Sequence, residues 1–253
     1  MRKWVLASDI DNTLTGDPTA LKLLSEKITR QRESGGLELL LSTGRRLNQV
    51  IDGFEQENIP QPDAVISQVG TEIYLPPFSS DSSPLQKWDS LLHQNFSREQ
   101  ALQLLENIEG LELQPDMYNT PLKVSCYLDK TPDPEKAAAE IKRRAAAGKD
   151  GCQVVWSSGR DLDIIPAAGG KGNAITFLVN YLKLDDSPVV VAGDSGNDSS
   201  MFEAYARGIV VANAKPELKA AEKKRGGEQV FFASKSYAAG VEEGLRHFGI
   251  LNP

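Results

Sequence analysis

Near its start the chain reads Lys3-Trp4-Val5-Leu6-Ala7-Ser8-Asp9-Ile10-Asp11-Asn12-Thr13-Leu14. The apolar run from Trp4 to Ala7 has the character of a buried strand. It ends in two carboxylates one residue apart, with a hydroxyl two residues further on. If the strand continues, alternation puts Asp9 and Asp11 on one face and close together. Two anions that close stay charged only with a cation between them. Either a divalent metal sits there or the segment is an acidic turn.

The rest of the chain repeats the pattern. Asp17-Pro18 opens a helix, with Leu21, Leu24 and Ile28 at helical spacing. Gly35-Gly36 stop it before a second apolar run, Leu37 to Leu41, which ends in Ser42-Thr43-Gly44-Arg45. A helix to about Glu57, a strand at Ala64 to Ile66 and an alternating arm at Gly70 to Tyr74 follow. Strand alternating with helix predicts a parallel sheet wrapped by helices, whose ligands bind beyond the carboxyl ends of the strands. Asp9, Asp11, Thr43 and Arg45 all occupy such ends.

From about Pro76 the character changes. A Pro- and Ser-rich stretch to Pro84 reads as a linker. Beyond it, helices near 84–95, 97–107 and 134–147 mix irregularly with strands at Leu122 to Leu128, Cys152 to Ser157 and Leu162 to Ile165. Alternation resumes at Gly169-Gly170-Lys171-Gly172, and the apolar strand Pro188 to Ala192 ends in Gly193-Asp194-Ser195-Gly196-Asn197-Asp198. The expected fold class is α/β, a Rossmann-like parallel-sheet core interrupted by an α+β unit. The core comprises residues 1–77 plus 168–253, and the inserted unit 78–167.

Composition limits the partners. A formal net charge of -7 argues against a nucleic-acid or anionic-membrane surface, though placed basic residues and a metal can still receive an anionic substrate. No stretch is long and apolar enough to cross a bilayer, and the first apolar run is too short for a signal peptide. Cys126 and Cys152 read as core residues rather than a disulfide or metal pair. That His93 and His247 are the sole histidines argues against a histidine-based metal site. The expected compartment is cytoplasmic.

Four polar clusters sit at strand ends or a helix start: Asp9/Asp11/Thr13, Thr43-Gly44-Arg45, Lys171, and Asp194 with Asn197 and Asp198. Carboxylates without thiols or imidazoles suit a hard cation, and Mg²⁺ is the best match. Hydroxyls, a lysine and helix-start amides suit a phosphate. A carboxylate can take a phosphoryl group as nucleophile, and a second carboxylate nearby can protonate the leaving alkoxide.

These clusters, in this order, resemble the four motifs of the haloacid dehalogenase superfamily of phosphohydrolases, with Asp9-Ile10-Asp11-Asn12-Thr13 as its D-x-D-x-T pattern. The insertion resembles the α/β cap of its sugar-phosphatase branch. Val69 to Tyr74, Lys123 to Leu128, Ser157 to Asp163 and Lys171 to Ala174 are similar to the sucrose-phosphatase family, with Arg160 where that family carries Lys. The resemblance implies Asp9 as nucleophile and Mg²⁺ ligand, and Asp11 as general acid/base with its backbone carbonyl on the metal. It implies Asp194 as direct metal ligand with Asp198 behind it, and Thr43, Gly44 and Asn197 on phosphate oxygens. Lys171 would neutralise phosphate charge and pair with Asp9, while Arg45 contacts substrate or anchors its loop. In the cap, Lys123, Ser157, Ser158, Arg160 and Asp161 have the groups a disaccharide needs, as does any polar loop.

The implied reaction is hydrolysis of sucrose 6-phosphate, the final step of sucrose synthesis. Its supplier would be a glycosyltransferase of sucrose-phosphate synthase type, a possible partner. Alternatives keep the chemistry and change the sugar: mannosylfructose phosphate, trehalose 6-phosphate, mannosyl-3-phosphoglycerate or a small hexose phosphate. A non-catalytic sugar-phosphate sensor, or a sugar-phosphate-binding partner of a glycosyltransferase, is a further alternative. A hinged cap is expected, with hinges at 76–84 and 169–172.

Overall fold

Two separate hydrophobic cores, one for each of two sheets, organise the computed structural model, which describes residues 3–148, 151–226 and 229–252. The chain begins with β1 (Trp4–Ser8), α1 (Pro18–Glu33), β2 (Leu37–Ser42), α2 (Leu47–Gln56), β3 (Ala64–Ser67) and β4 (Glu72–Tyr74). It continues through α3 (Gln86–Leu92), α4 (Arg98–Gln103), β5 (Glu112–Leu113), β6 (Val124–Tyr127), α5 (Pro134–Ala147), β7 (Cys152–Ser157) and β8 (Asp161–Pro166). The last part is α6 (Lys171–Tyr181), β9 (Val189–Gly193), α7 (Ser199–Ala204), β10 (Arg207–Val210), α8 (Pro216–Arg225), β11 (Val230–Phe232) and α9 (Tyr237–His247).

The larger sheet has seven strands in the order β11-β10-β9-β1-β2-β3-β4. Every pairing is parallel except the last, where β4 returns antiparallel to β3. Val5, Leu6 and Ala7 of the central strand are fully buried, which explains why β1 is a continuous apolar run rather than an alternating one. From β1 the chain builds outward to β4 and later returns to fill β1's other side with β9. The strand order therefore reverses at β1, and the crevice beyond its carboxyl end is where such sheets bind ligands.

Local chemistry sets the helices. The Asp17 carboxylate accepts hydrogen bonds from the amides of Thr19 and Ala20, both at 3.0 Å, and Pro18 occupies the first helical position. Leu21, Leu24 and Ile28 form the buried stripe of α1 that the spacing predicts.

The smaller sheet is antiparallel throughout, in the order β5-β6-β8-β7. Its core joins Val124, Cys126, Leu128, Leu162 and Ile164 to Ala138 and Ile141 of α5. The two-residue β5 has no counterpart in the sequence reading, because both its residues are exposed and too few to show a period. Helix α3, which follows the linker, buries Trp88 and Leu92 in the first core rather than the second. The Trp88 ring lies 4.9 Å from that of Phe177 on α6, and its Nε1–H donates to the Gly70 carbonyl. Composition marked the linker, but only packing shows which sheet the next helix covers.

Candidate active site

Asp9 follows β1 directly, with its amide bonded to the Ala192 carbonyl at 2.9 Å and its side chain almost fully buried. The strand stops there. The amides of Thr13, Leu14 and Thr15 all turn back to the Ile10 carbonyl, and Asn12 takes φ +60, a left-handed conformation that Asn tolerates. Strand alternation therefore does not place Asp9 and Asp11 on one face, as the sequence suggested. The turn carries the Asp11 side chain out to 51% exposure. There the Arg45 guanidinium grips it, with Nε 3.0 Å from Oδ2 and Nη2 2.8 Å from Oδ1.

Lys171, the first residue of α6, is fully buried. Its Nζ donates to Asp9 Oδ1 and to Asp198 Oδ1, both at 2.6 Å, and more weakly to Asn197 Oδ1 at 3.4 Å. A cation at a helix start opposes the helix dipole; two carboxylates overcome that here. Asp198 is itself fixed, since Oδ2 accepts the amides of Asp194 and Ser195 at 2.9 and 3.1 Å. Close helix packing sets the position: a Cβ on Gly172 would lie 2.1 Å from the Ser200 carbonyl oxygen. Only glycine lets α6 come this near to α7.

Charge in this pocket is unbalanced. One oxygen each from Asp9, Asp194 and Asp198 lies within 4.8 Å of the other two, all three residues are buried, and one ammonium lies among them. Burial alone would lower the Lys171 pKa, but the Asp198 and Asp9 carboxylates hold it above its ordinary value. Burial pushes the Asp9 carboxyl up, against the opposing pull of Lys171 and with added push from Asp198 and Asp194. Asp194 is pushed up to about 7, first by burial and then by Asp198. Among the described residues, Asp9 Oδ2 and the Asp194 carboxylate receive no hydrogen bond. Clustered, under-neutralised oxygen donors fit a divalent cation of the Mg²⁺ type. The Asp11 carboxylate lies outside this cluster.

The second strand end supplies a braced loop. Thr43 is fully buried, and its Oγ1 accepts the Arg45 amide at 3.1 Å. Gly44 stands beside Val69, within 3.8 Å of any Cβ it might carry. Gln68 and Val69 both have positive φ and donate their amides to the carbonyls of Arg45 and Thr43. A β-branched residue in this region is strained by ~1–3 kcal/mol, a cost borne where surrounding contacts over-determine the backbone. The next residue, Gly70 (φ +89), presses on the other wall, where a Cβ would lie 2.2 Å from the Gly170 carbonyl carbon. One loop thus holds Thr43 and Lys171 in fixed relation.

Arg45 was expected to touch substrate or anchor its loop. Its guanidinium is spent on Asp11 and on Glu57, whose Oε1 lies 2.5 Å from Nη1. Both carboxylates hold the guanidinium pKa above its ordinary value, against burial. Glu57 escaped the sequence reading because nothing in its spacing ties the end of α2 to Asp11.

A cavity of about 280 Å³ opens onto Gly44 and Asn197. Its walls include Lys123, Ser157, Arg160 and Asp161, all expected, and also Gln114, Tyr118, Tyr127 and Asp163. Ser158 does not join them; it is exposed in the turn between β7 and β8 at φ +56. Strand alternation could have found two of the unanticipated residues. Lys123, Ser125 and Tyr127 share one face of β6 and its lead-in, opposite Asp161 and Asp163 of β8. Lys123 is buried with its Nζ 3.4 Å from Asp163 Oδ1, and Gln114 Nε2 donates to Asp161 at 3.0 Å. A larger groove of about 590 Å³ between α1 and α2, lined by Lys22, Glu26, Arg30 and Phe54, holds none of these groups.

A buried carboxylate paired to lysine at the switch point of a parallel sheet, under a polar pocket from a second sheet, is the arrangement that the resemblance to the haloacid dehalogenase superfamily implies. The profile of the sucrose-6F-phosphate phosphohydrolase family matches residues 2–249. A mannosylfructose-phosphate phosphatase from Agrobacterium fabrum is 33% identical over 252 residues, spanning 98% of each chain. Sucrose-phosphatase 1 of Nicotiana tabacum is 31% identical over 258 residues, which is 97% of this chain and 59% of that longer protein. The X-ray structure of the Synechocystis sucrose-phosphatase, in complex with sucrose and phosphate, superposes with a TM-score of 0.88. That pair is 33% identical, over 98% of this chain and 99% of the other. This chain belongs to the sucrose-phosphatase family of the haloacid dehalogenase superfamily, and is a sugar-phosphate phosphatase. Phosphatases of this superfamily generally use Mg²⁺. No helix among the described residues is long and apolar enough to cross a membrane.

Proposed function

We propose that this enzyme hydrolyses sucrose 6-phosphate to sucrose and phosphate through an aspartyl-phosphate on Asp9, completing a sucrose synthesis. The observation that carries the reading is Lys171 bridging Asp9 and Asp198 beneath a pocket lined with polar side chains. Asp9, Asp194 and, behind them, Asp198 would hold Mg²⁺, with the Asp11 backbone carbonyl completing the protein's share. When bound, Mg²⁺ supplies charge neutralisation for the phosphate.

The remaining work falls to the chain. Thr43, Gly44 and Asn197 position phosphate oxygens, and Lys171 offsets the phosphate's charge and fixes one oxygen of Asp9, leaving Oδ2 to attack. In phosphoryl transfer such positioning and neutralisation lower most of the barrier. Asp11 gives a proton to the departing sugar hydroxyl and takes one from the water that cleaves the aspartyl-phosphate. Arg45, held by Glu57, aims the Asp11 carboxyl rather than touching phosphate. Lys123, Ser157, Arg160 and Asp161, with Gln114, Tyr127 and Asp163, bind sugar hydroxyls.

The part of residues 78–167 beyond α3 acts as a cap, hinged after α3 and at 169–172, because Trp88 and Leu92 are buried on the core and hold α3, with the expected 76–84 linker, to it. A glycosyltransferase of sucrose-phosphate synthase type, which forms the glycosidic bond on an already phosphorylated sugar, would supply this substrate. One specific observation favours a second substrate. The Agrobacterium fabrum relative, named for mannosylfructose phosphate, matches 98% of the chain. Phosphate release from sucrose 6-phosphate, mannosylfructose phosphate, trehalose 6-phosphate and glucose 6-phosphate separates these readings. The highest kcat/KM is expected for sucrose 6-phosphate; a clear preference for another sugar would overturn the assignment.

A further inference from the structure

Two consecutive arginines at the start of α2 face different partners. Arg45 reaches Asp11 and Glu57. Arg46, whose amide donates to Gln49 Oε1 at 3.0 Å, carries its guanidinium over the ring of Tyr118, 5.7 Å from the centroid. Arg46 belongs to the parallel-sheet part of the molecule. Tyr118 closes a single helical turn, Asp116–Tyr118, between β5 and β6 of the antiparallel part. That turn is tied down by the Tyr118 amide on the Pro115 carbonyl at 2.8 Å, and by Ser125 Oγ donating to the Tyr118 carbonyl at 3.1 Å. The Tyr118 ring lines the same cavity as Gly44.

Arg46 Nε is buried and finds no hydrogen-bond partner among the described residues. At this position the guanidinium therefore gains the face of a ring rather than an oxygen acceptor. Such a contact strengthens as water is excluded from it. It also forms only when the two parts of the molecule are together, since each contributes one partner.

We propose that the Arg46–Tyr118 pair is a latch across the pocket mouth, which holds the Tyr118 ring in place as a wall against the sugar. Arg46 is thereby a positioning residue that favours a disaccharide phosphate over a small phosphate ester. Arg46 touches neither the phosphate nor the reacting atoms; its effect passes through the ring. The selectivity rests on the sugar-phosphatase reading above, whereas the latch itself does not.

The test uses the full chain and three variants: Arg46→Met, which keeps an apolar stem, Tyr118→Leu, which removes the ring, and Tyr118→Phe, which keeps its face. The first readout is kcat/KM for sucrose 6-phosphate relative to p-nitrophenyl phosphate. Arg46→Met and Tyr118→Leu should each lower that ratio by ~3- to 10-fold, mainly through KM, as expected for loss of a partly desolvated cation–π contact. The double variant Arg46→Met/Tyr118→Leu should be no worse than the poorer single, because both changes remove one interaction. Tyr118→Phe should lose less than Tyr118→Leu.

The second readout needs no activity. Amide exchange across residues 112–127 should quicken in Arg46→Met and in Tyr118→Leu. If the parent turns over no disaccharide phosphate, the sugar reading fails and exchange alone decides the latch. Unaltered exchange in Arg46→Met would overturn the latch. An equal loss on both substrates would overturn the selectivity.

Discussion

Lys171→Met keeps the length of the side chain and removes the ammonium that Asp9 and Asp198 each hold at 2.6 Å. Lys171 and Asp198 are fully buried and Asp9 nearly so, so the two carboxylates would face each other and Asp194 without a counter-charge. Removing one partner of a buried pair typically costs ~3–5 kcal/mol. The carboxylates can avoid that cost by taking up protons, which makes it depend on pH. Asp194 is already pushed up to about 7 and Asp9 is raised. An acid whose folded pKa exceeds its unfolded value binds more protons when folded, so stability falls as pH rises from the ordinary carboxylate range through the raised value. Urea denaturation without divalent cations should therefore show a large deficit against the parent near pH 8 and a small one near pH 5. With Mg²⁺ present, kcat should fall by about 10²- to 10³-fold, the scale for losing one electrostatic stabiliser. A variant as stable as the parent near pH 8, with no divalent cation added, would refute the argument, because the ammonium would then not be offsetting buried negative charge.

Other consequences follow from the same geometry. Gly172→Ala sets a methyl group 2.1 Å from the Ser200 carbonyl oxygen, which should cost ~1–3 kcal/mol by overpacking and lower both Tm and kcat as Lys171 shifts. An unchanged Tm would mean that α6 and α7 are not pressed together there. Arg45→Lys keeps the charge but loses the fork that joins Asp11 to Glu57. Its kcat should drop by about tenfold or more, up to the ~10²–10⁴-fold that general acid–base catalysis contributes as a whole, and Glu57→Gln should move the same way by less. A wild-type pH–rate profile in both variants would dissociate Arg45 from the acid/base step. Millimolar Mg²⁺ should raise Tm more near pH 8 than near pH 5.5, since protons compete for Asp194, whose carboxyl is pushed up to about 7. Equal shifts at the two pH values would count against Asp194 as a ligand.

The parts legible in the sequence were those in which one local pattern dictates one structure. The apolar runs at Trp4 to Ala7, Leu37 to Leu41 and Pro188 to Ala192 became the three central strands, and Asp9, Asp194 and Asp198, which follow two of them, came together where the strand order reverses. Lys171 joined them because Gly172 permits a close approach of α6 to α7. What could not be read depends on contacts between distant segments. Asp11 and Asp9 part because β1 ends at Ser8 and a turn on Ile10 follows, where alternation assumed the strand ran on to Asp11. Glu57 reaches Arg45 from the far end of α2, and Trp88 packs on the first core although it follows the linker. In the cap, alternation along β6 and β8 could have named Tyr127 and Asp163 beside Lys123 and Asp161. Gln114 and Tyr118 lie in irregular backbone between β5 and β6, where no period exists to mark them.

The central claim is that Asp9 carries the phosphoryl group. Rapid acid quench of the enzyme with Mg²⁺ and phosphorus-radiolabelled sucrose 6-phosphate tests it most directly. A label released by hydroxylamine should appear on the peptide containing Asp9 within one turnover, and be absent from Asp9→Asn, which should fold normally. Product formed at full rate with no label on that peptide, or near-normal turnover by Asp9→Asn, would contradict the account.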